Sequence, residues 1–195
     1  MSELPHLQEL FDRLRGGYHL SSEDEPTFSA VAANHEAYAA YFAPLGLKLV
    51  RHPREFFYFD PEAAESVQET LPRIAVFSFI LVDHAANAGR PIEDYLLNQH
   101  FLISKLPHFS LDRYATLLRQ VEIEDTAGVK TVLKRMERLG WVKFVGEEEF
   151  RFLRPFHRVF DKCLDLSAVG SSRDNETLKN TESGENLPGS SAAIE

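Results

Sequence analysis

The clearest pattern in the chain is a helix followed by two short strands, between residues 126 and 154. The apolar positions of the helix recur three and four residues apart, which predicts one buried face. They are Val129, Val132, Leu133, Met136 and Leu139. Asp125 or Thr126 can cap the start of the helix, and Gly140 can end it, because glycine adopts the left-handed conformation without strain. Two alternating apolar segments then predict a β-hairpin, and helix plus hairpin are typical of the second half of a winged helix-turn-helix.

Residues 45–59 repeat the layout of residues 139–153, and the two stretches align without a gap. Both begin with Leu-Gly before the first strand, and both carry Glu-Phe at the second strand. The identical pairs are Leu45 and Leu139, Gly46 and Gly140, Glu55 and Glu149, and Phe56 and Phe150. This self-similarity predicts an internal repeat, with two winged-helix modules in one chain. Chance similarity is the alternative, because every β-hairpin alternates in this way.

The remaining apolar patterns predict helices around the two hairpins. They cover residues 7–14, 26–42 with a break near Asn34, 71–88, 91–105, 111–121 and 155–166. The 71–88 helix is apolar nearly all round, which predicts burial by neighbouring helices or by a second subunit. From Gly170 onward almost no large apolar residue occurs, so this end of the chain is predicted to be a disordered tail.

These elements predict a mainly α fold with small β-hairpins, of the α+β class. Two winged-helix domains lie in tandem and are joined by a helical connector. The predicted organisation is an N-terminal winged-helix domain at 1–62, the connector at 63–108, a C-terminal winged-helix domain at 109–168 and the disordered tail at 169–195.

Composition and charge limit the functions that the chain can have. Its 195 residues are 44% hydrophobic and include 15 Phe, so it can bury a core. The formal charge of −9 argues against indiscriminate binding to phosphate, so any nucleic-acid contact must be a local basic patch. A single cysteine, Cys163, excludes an intrachain disulfide and fits a reducing compartment. The N-terminal residues lack signal-peptide character and the apolar stretch at 74–82 is too short to span a bilayer, so we expect a cytoplasmic protein.

The sequence contains no catalytic or metal-binding motif at a diagnostic spacing. Eight histidines raise the question of a metal site, but neither His157 with Asp161 nor Asp83 with His84 has a third ligand at a diagnostic spacing. The sequence has no glycine-rich phosphate loop and no serine in a nucleophile elbow. We therefore expect no enzymatic activity, no metal and no cofactor.

Basic residues line the exposed side of the predicted recognition helix and continue onto the hairpin that follows it. They are Lys130, Lys134, Arg135, Arg138, Lys143, Arg151 and Arg154. We assign them to DNA binding, because a helix fits the major groove and cations displace counterions from phosphates. The alternative is an ordinary solvated face, since Glu137 interrupts the charge and the glutamates at 147–149 repel phosphate. In the first repeat only the hairpin is basic, so we expect protein contacts there.

Four segments carry a resemblance to a known family: LGLKLVRHPREFFYF, IAVFSFILVDHAA, and KTVLKRMERLGWVKF running into FRFLRPFHRVFDKCLDL. With the order of their elements, they make residues 5 to 167 similar to the MukE/MksE family of bacterial condensin subunits. This family includes the related subunit of Wadjet-type plasmid-defence complexes. The chain is compact for MukE proper, which favours the MksE branch.

The resemblance implies an accessory subunit that is not an enzyme. Such proteins form homodimers and clamp a kleisin, here an MksF-like subunit, which bridges the heads of an SMC-like ATPase of the MksB type. The resemblance also implies binding to double-stranded DNA without sequence specificity through the basic residues, and a nucleoid-associated location. It assigns apolar residues of the first module and the connector to a dimer or kleisin interface: Tyr38, Phe42, Phe56, Phe57, Phe77, Phe79 and Ile80. The aromatic run 56–59 supports this assignment, because four consecutive rings cannot all face one side of a strand and at least two need another partner.

Two other functions fit the same elements. A winged-helix transcription regulator acting alone, as a dimer, needs a strongly basic recognition helix and a defined operator. An assembly scaffold without DNA contact differs from the condensin hypothesis only in the role of the basic residues.

Overall fold

The computed structural model describes residues 4–60 and 71–161, and those up to Val159 belong to one compact unit. The helices are α1 (Leu7–Arg15), α2 (Thr27–Ala33), α3 (His35–Phe42), α4 (Leu71–Asn87), α5 (Ile92–Leu97), α6 (Asp112–Gln120) and α7 (Thr126–Arg138). The strands are β1 (Leu49–His52), β2 (Phe56–Phe59), β3 (His100–Leu102), β4 (Val142–Phe144) and β5 (Glu149–Phe152). This is a mixed fold of helices with small antiparallel sheets, which confirms the predicted α+β class.

The helix–hairpin at residues 126–152 forms as its sequence predicts. Asp125 caps α7, and its carboxylate accepts the backbone N–H of Gly128 at 2.8 Å. The predicted apolar face is buried from Val129 to Leu139. Gly140 then turns the chain with φ of 74°, a conformation that glycine adopts without a Cβ penalty.

The predicted helix over 91–105 is wrong beyond Leu97. Residues 100–102 form β3 instead, in a three-stranded sheet of order β3–β5–β4, with Phe101 opposite Phe150. Their partner strand lies nearly fifty residues further along the chain. A local pattern of apolar residues cannot show such a partner, and for short apolar segments it does not separate strand from helix.

The N-terminal half repeats this order of elements on a smaller scale. Strands β1 and β2 form a hairpin, and Leu20 forms a bridge to Phe57 on the outer side of β2, with both N···O distances 2.8 Å. The registers of the two hairpins differ, however. Val50 pairs with Tyr58, whereas the gap-free alignment would pair it with Phe56. The two halves therefore share the order of their elements, but the residues of their second strands do not correspond one to one. The pairing is shifted by two residues, and a shift of two keeps the same side chains on each face of the strand.

The aromatic run of β2 is covered on both faces by this chain itself. Phe57 packs in the N-terminal core together with Tyr38 and Phe42. Phe56 points to the opposite face, where its ring centroid lies 6.0 Å from that of His19. His19 in turn contacts Trp141 with ring centroids 5.5 Å apart, so β2 lies between the N-terminal core and the second half of the chain.

Several sequence predictions concern residues at the edges of the described ranges. The closing helix is present over 157–161, after a 3-10 turn at Arg154–Phe156, and the rest of it lies outside the described residues. The predicted tail at 169–195 also lies outside them. The boundaries of the predicted domains remain predictions. Within the described ranges, no helix is long and apolar enough to cross a membrane.

Candidate nucleic-acid interface

The structure divides the seven predicted DNA-binding residues into two groups. Four of them form ion pairs within the chain: Lys130 with Glu148 at 2.6 Å, Lys143 and Arg151 with Glu23 at 3.0 and 2.6 Å, and Arg154 with Glu55 at 2.5 Å. Three of these pairs join the second hairpin to carboxylates of the N-terminal half. A cation that is already neutralised contributes less to phosphate binding. These four residues are therefore weaker candidates for DNA binding than the other three.

Glu23 shows how the second hairpin is tied to the N-terminal half. Its carboxylate accepts from both Arg151 and Lys143, and the hydrogen bond from Arg151 holds the pKa of Glu23 below its usual value. Because the three side chains are partly exposed, each pair stabilises the fold by no more than about 1 kcal/mol. Their main effect is to fix the position of the hairpin.

The other three residues, Lys134, Arg135 and Arg138, line a groove of about 510 Å³ between α7, the first turn of α4 and the loop that precedes α7. Its remaining walls are formed by Arg73, Ile74, Glu122, Ile123, Gly128, Thr131 and Val132. Among the described residues, none of these three cations has a carboxylate partner. The groove therefore concentrates positive charge on an otherwise acidic chain.

Arg73 is a functional candidate that the sequence analysis missed. It lies near the start of α4, where its guanidinium donates to Glu122 at 2.5 Å and to the carbonyl of Val121 at 3.1 Å. These bonds hold it at the rim of the groove. As an isolated cation in an apolar stretch of sequence, Arg73 is unusual enough to suggest a functional role. Its position beside α7, however, results from tertiary packing and cannot be predicted from local sequence.

Arg135 lines the groove and also has a buried donor: its Nε atom has no hydrogen-bond partner among the described residues. A buried donor without a partner is costly, so a movement of the guanidinium that brings Nε to an acceptor oxygen in the groove would remove that cost. Phosphate and carboxylate oxygens both have the required chemistry.

The residues predicted for a dimer or kleisin interface are mostly internal. Six of them are at most 1% exposed: Tyr38, Phe42, Phe56, Phe57, Phe77 and Ile80. Since these side chains pack within the chain, they present no surface to a partner in this conformation. Phe79 differs from them, with 49% of its surface exposed.

Helix α3 occupies in the first half the place that α7 occupies in the second, directly before a hairpin. The helix continues into a 3-10 turn at Ala43–Leu45, and the two together present a mostly apolar outward surface. The exposed residues on it are Glu36, Ala37, Ala40, Tyr41, Ala43, Pro44 and Leu45, of which all but Glu36 are apolar. Tyr41 is 51% exposed and Leu45 is 60% exposed. The two halves thus present surfaces of different chemistry at corresponding places.

The histidine pairs considered as metal ligands have other partners. Asp83 accepts from Arg113 and from the hydroxyl of Tyr114, both at 2.6 Å. His157 is buried, with its Nε2 atom 3.0 Å from Arg54. Over residues 4–60 and 71–161, no three His, Cys, Asp or Glu side chains come together in a way that could hold a metal ion.

Comparison of the sequence with known proteins assigns the chain to a family. The family described as condensin complex protein MksE matches residues 5–164. The chromosome partition protein MukE of Pectobacterium atrosepticum is 23% identical over an alignment 197 residues long, gaps included, which spans 92% of this chain and 81% of that protein. The MukE proteins of Shigella flexneri and Escherichia coli K12 are each 23% identical over 188 residues; these cover 87% of this chain and 80% and 76% of those proteins. Because the family match covers most of the chain, the protein belongs to the MksE family.

Proposed function

We propose that this protein is a non-catalytic accessory subunit of a bacterial condensin complex. It supports chromosome partition or plasmid defence in the cytoplasm, at the nucleoid. It acts as a homodimer that binds an MksF-like kleisin, and through the kleisin an MksB-like SMC ATPase. The observation that carries the proposal is the family match over residues 5–164, together with matches to chromosome partition proteins along most of the chain.

The order of elements supports two winged-helix modules. In the second half, helices α6 and α7 are followed by the β4–β5 hairpin, and β3 completes the sheet beside β5. In the first half, α2 and α3 are followed by β1 and β2, and Leu20 takes the place of β3. A helix pair that leads into a hairpin with a third strand beside it is the arrangement of a winged helix-turn-helix.

We assign DNA contact to the groove beside α7. Lys134, Arg135 and Arg138, which have no carboxylate partner among the described residues, place positive charge on one surface, and Arg73, paired with Glu122, lies at its rim. The groove residues assigned to this contact are all cations, which neutralise phosphates of any sequence. We therefore assign contact with the phosphate backbone, which positions the protein on the duplex without carrying sequence information.

We assign kleisin contact to the apolar face of α3. A solvent-facing helix is usually polar, whereas Tyr41 and Leu45 are exposed on this one. An amphipathic segment of a partner can cover such a face, as in other helix-in-groove complexes.

Co-expression with neighbouring open reading frames tests the assignment to a condensin. We expect the chain to purify with a kleisin-like protein. A free dimer that binds one DNA sequence tightly would identify a transcription regulator instead.

The groove is tested separately with the variant Lys134→Glu/Arg138→Glu. DNA binding by the purified complex should weaken, and the salt dependence of log K should flatten by about one unit for each phosphate contact that is lost. Arg15→Glu/Lys105→Glu, at two exposed positions outside the groove, makes the same change in net charge and is the control. If the groove variant binds DNA as well as this control does, the protein is a scaffold without DNA contact at this site.

A further inference from the structure

The outward face of α4 is apolar although it is open to solvent. The face consists of Pro72, Ala75, Val76, Phe79, Val82, Asp83 and Ala86, all exposed or half-buried. These positions lie three and four residues apart, so they form one stripe along the helix. Six of the seven are apolar, whereas the exposed side of a helix in a soluble chain is normally polar.

The one acidic residue in the stripe does not oppose burial. The carboxylate of Asp83 is satisfied by Arg113 and by the hydroxyl of Tyr114, and its side chain is 25% exposed. It can therefore be covered without leaving an unpaired charge.

The stripe is symmetric about Phe79 at all but one pair of positions. Val76 and Val82 each lie three residues from it, and Pro72 and Ala86 each lie seven residues from it. The exception is Ala75 and Asp83, which each lie four residues from Phe79. Two copies of this helix that run antiparallel place Phe79 against Phe79, valine against valine, proline against alanine at both ends, and Ala75 against Asp83, whose carboxylate is already paired within its own chain. A two-fold interface requires this kind of self-complementarity, because the same patch meets itself.

We propose that the α4 stripe is the surface through which two copies of this chain pair, with their α4 helices antiparallel and the two-fold axis near Phe79. This inference rests on the homodimer in the proposed function and assigns it to a surface. The predicted residues Phe77 and Ile80 lie on the other side of the same helix, where they pack into the core of their own chain. Phe79 projects from the helix and meets its counterpart in the partner.

The first test is the mass of the isolated chain in solution, measured by sedimentation over a range of micromolar concentrations. Wild type should be a dimer and Phe79→Glu a monomer. The control is Val145→Glu, which places the same charge at an exposed apolar position on another face and should leave the dimer intact. Circular dichroism establishes that both variants are folded, as their exposure predicts.

The second test fixes the direction of the helices by disulfide formation in a Cys163→Ser background. Phe79→Cys should cross-link to itself. Val76→Cys should cross-link to Val82→Cys when the two variants are mixed, but not to itself. In the antiparallel arrangement two copies of residue 76 are about 9 Å apart along the axis, beyond the reach of a disulfide.

Each outcome bears on the proposal. A folded Phe79→Glu protein that remains a dimer overturns the assignment to α4 and leaves the homodimer of the proposed function standing, whereas a wild-type chain that is monomeric throughout overturns both. Self-cross-linking at position 76 overturns the antiparallel arrangement. None of these measurements includes kleisin or DNA, so their failure is distinguishable from failure of the kleisin and DNA assignments.

Discussion

Lys130 Nζ lies 2.6 Å from the carboxylate of Glu148, and this ion pair joins α7 to the turn of the β4–β5 hairpin. The contact accounts for one glutamate of the acidic turn, whose charge opposes DNA binding. Glu148 is close to a cation of the same module, and its main-chain carbonyl also accepts the N–H of Ile103 at 2.9 Å. The turn is therefore held in place. Its ion pair with Lys130 also leaves that lysine less available to bind a phosphate.

Glu148→Gln should strengthen DNA binding. The substitution releases Lys130 to contact a phosphate, and one additional contact steepens the salt dependence of log K by about 0.9. Fluorescence anisotropy with a duplex of mixed sequence, measured at several salt concentrations, gives both the affinity and the slope.

The matched control for this prediction is Glu147→Gln. It removes the same charge from the neighbouring residue, for which the described part of the chain shows no ion pair. Equal gains in the two variants would mean that overall charge, and not the release of Lys130, sets the affinity.

Residues that are neighbours in sequence were predicted well. The cap, apolar face and glycine stop of α7, and the break between α2 and α3 at Asn34, follow from local chain preferences. Strand β3 was missed because its pairing with β5 depends on a distant segment. Arg73 was missed for the same reason, since only tertiary packing brings it beside α7.

The assignment of apolar residues to an interface shows a second limit of the sequence. Phe77 and Phe79 are two residues apart on one apolar helix, yet one is buried and the other is 49% exposed. A helix that is apolar nearly all round gives no periodic signal to indicate which face meets the core. Likewise, the charges of Lys143, Arg151 and Arg154 were visible, but their carboxylate partners in the N-terminal half were not.

Gly140→Ala should destabilise the protein more than Gly46→Ala does. Both glycines have left-handed backbones, with φ of 74° and 73°, so each alanine introduces about 1–2 kcal/mol of strain. A Cβ at position 140 would also lie 2.6 Å from the carbonyl oxygen of His19, whereas one at position 46 meets nothing within 4 Å. The overlap should add about 1–3 kcal/mol, which urea unfolding can measure.

This pair of variants measures how firmly the two halves are joined. The oxygen that the new methyl group approaches belongs to the N-terminal half, and the backbone N–H of His19 donates to Leu139 at 2.9 Å beside it. Equal destabilisation by the two alanines would show that the two halves can separate locally without cost.

Stability should fall as the pH decreases below neutrality, because two histidines are buried in their neutral form. Burial, together with the charge of Arg158, lowers the pKa of His19 to about 3, and burial lowers the pKa of His108 to about 4. In the unfolded chain both titrate near 6.5, so between these values the unfolded state binds more protons. The free energy of unfolding therefore decreases as the pH falls, by up to about 1.4 kcal/mol per pH unit for each histidine.

Urea unfolding between about pH 5 and pH 7 isolates the histidine contribution from that of the carboxylates, which titrate mainly below this range. His108→Gln should reduce the slope of the free energy of unfolding against pH, because one of the two buried histidines no longer contributes to it. This holds whatever the effect of the substitution on stability at neutral pH. His6→Gln, at an exposed position, is the control. A slope that is the same in wild type and His108→Gln would contradict a neutral His108 in the folded state.

Leu45→Glu should abolish co-purification with the kleisin while leaving the chain folded and dimeric. Leu45 is 60% exposed, so the charge does not enter the core, but a partner that covers the apolar face of α3 would have to bury it unpaired. Arg138→Glu is the control, because it alters the groove beside α7 and should retain the kleisin. Loss of kleisin in both variants would indicate that the partner spans both halves of the chain. Retention in both would move the kleisin site away from α3.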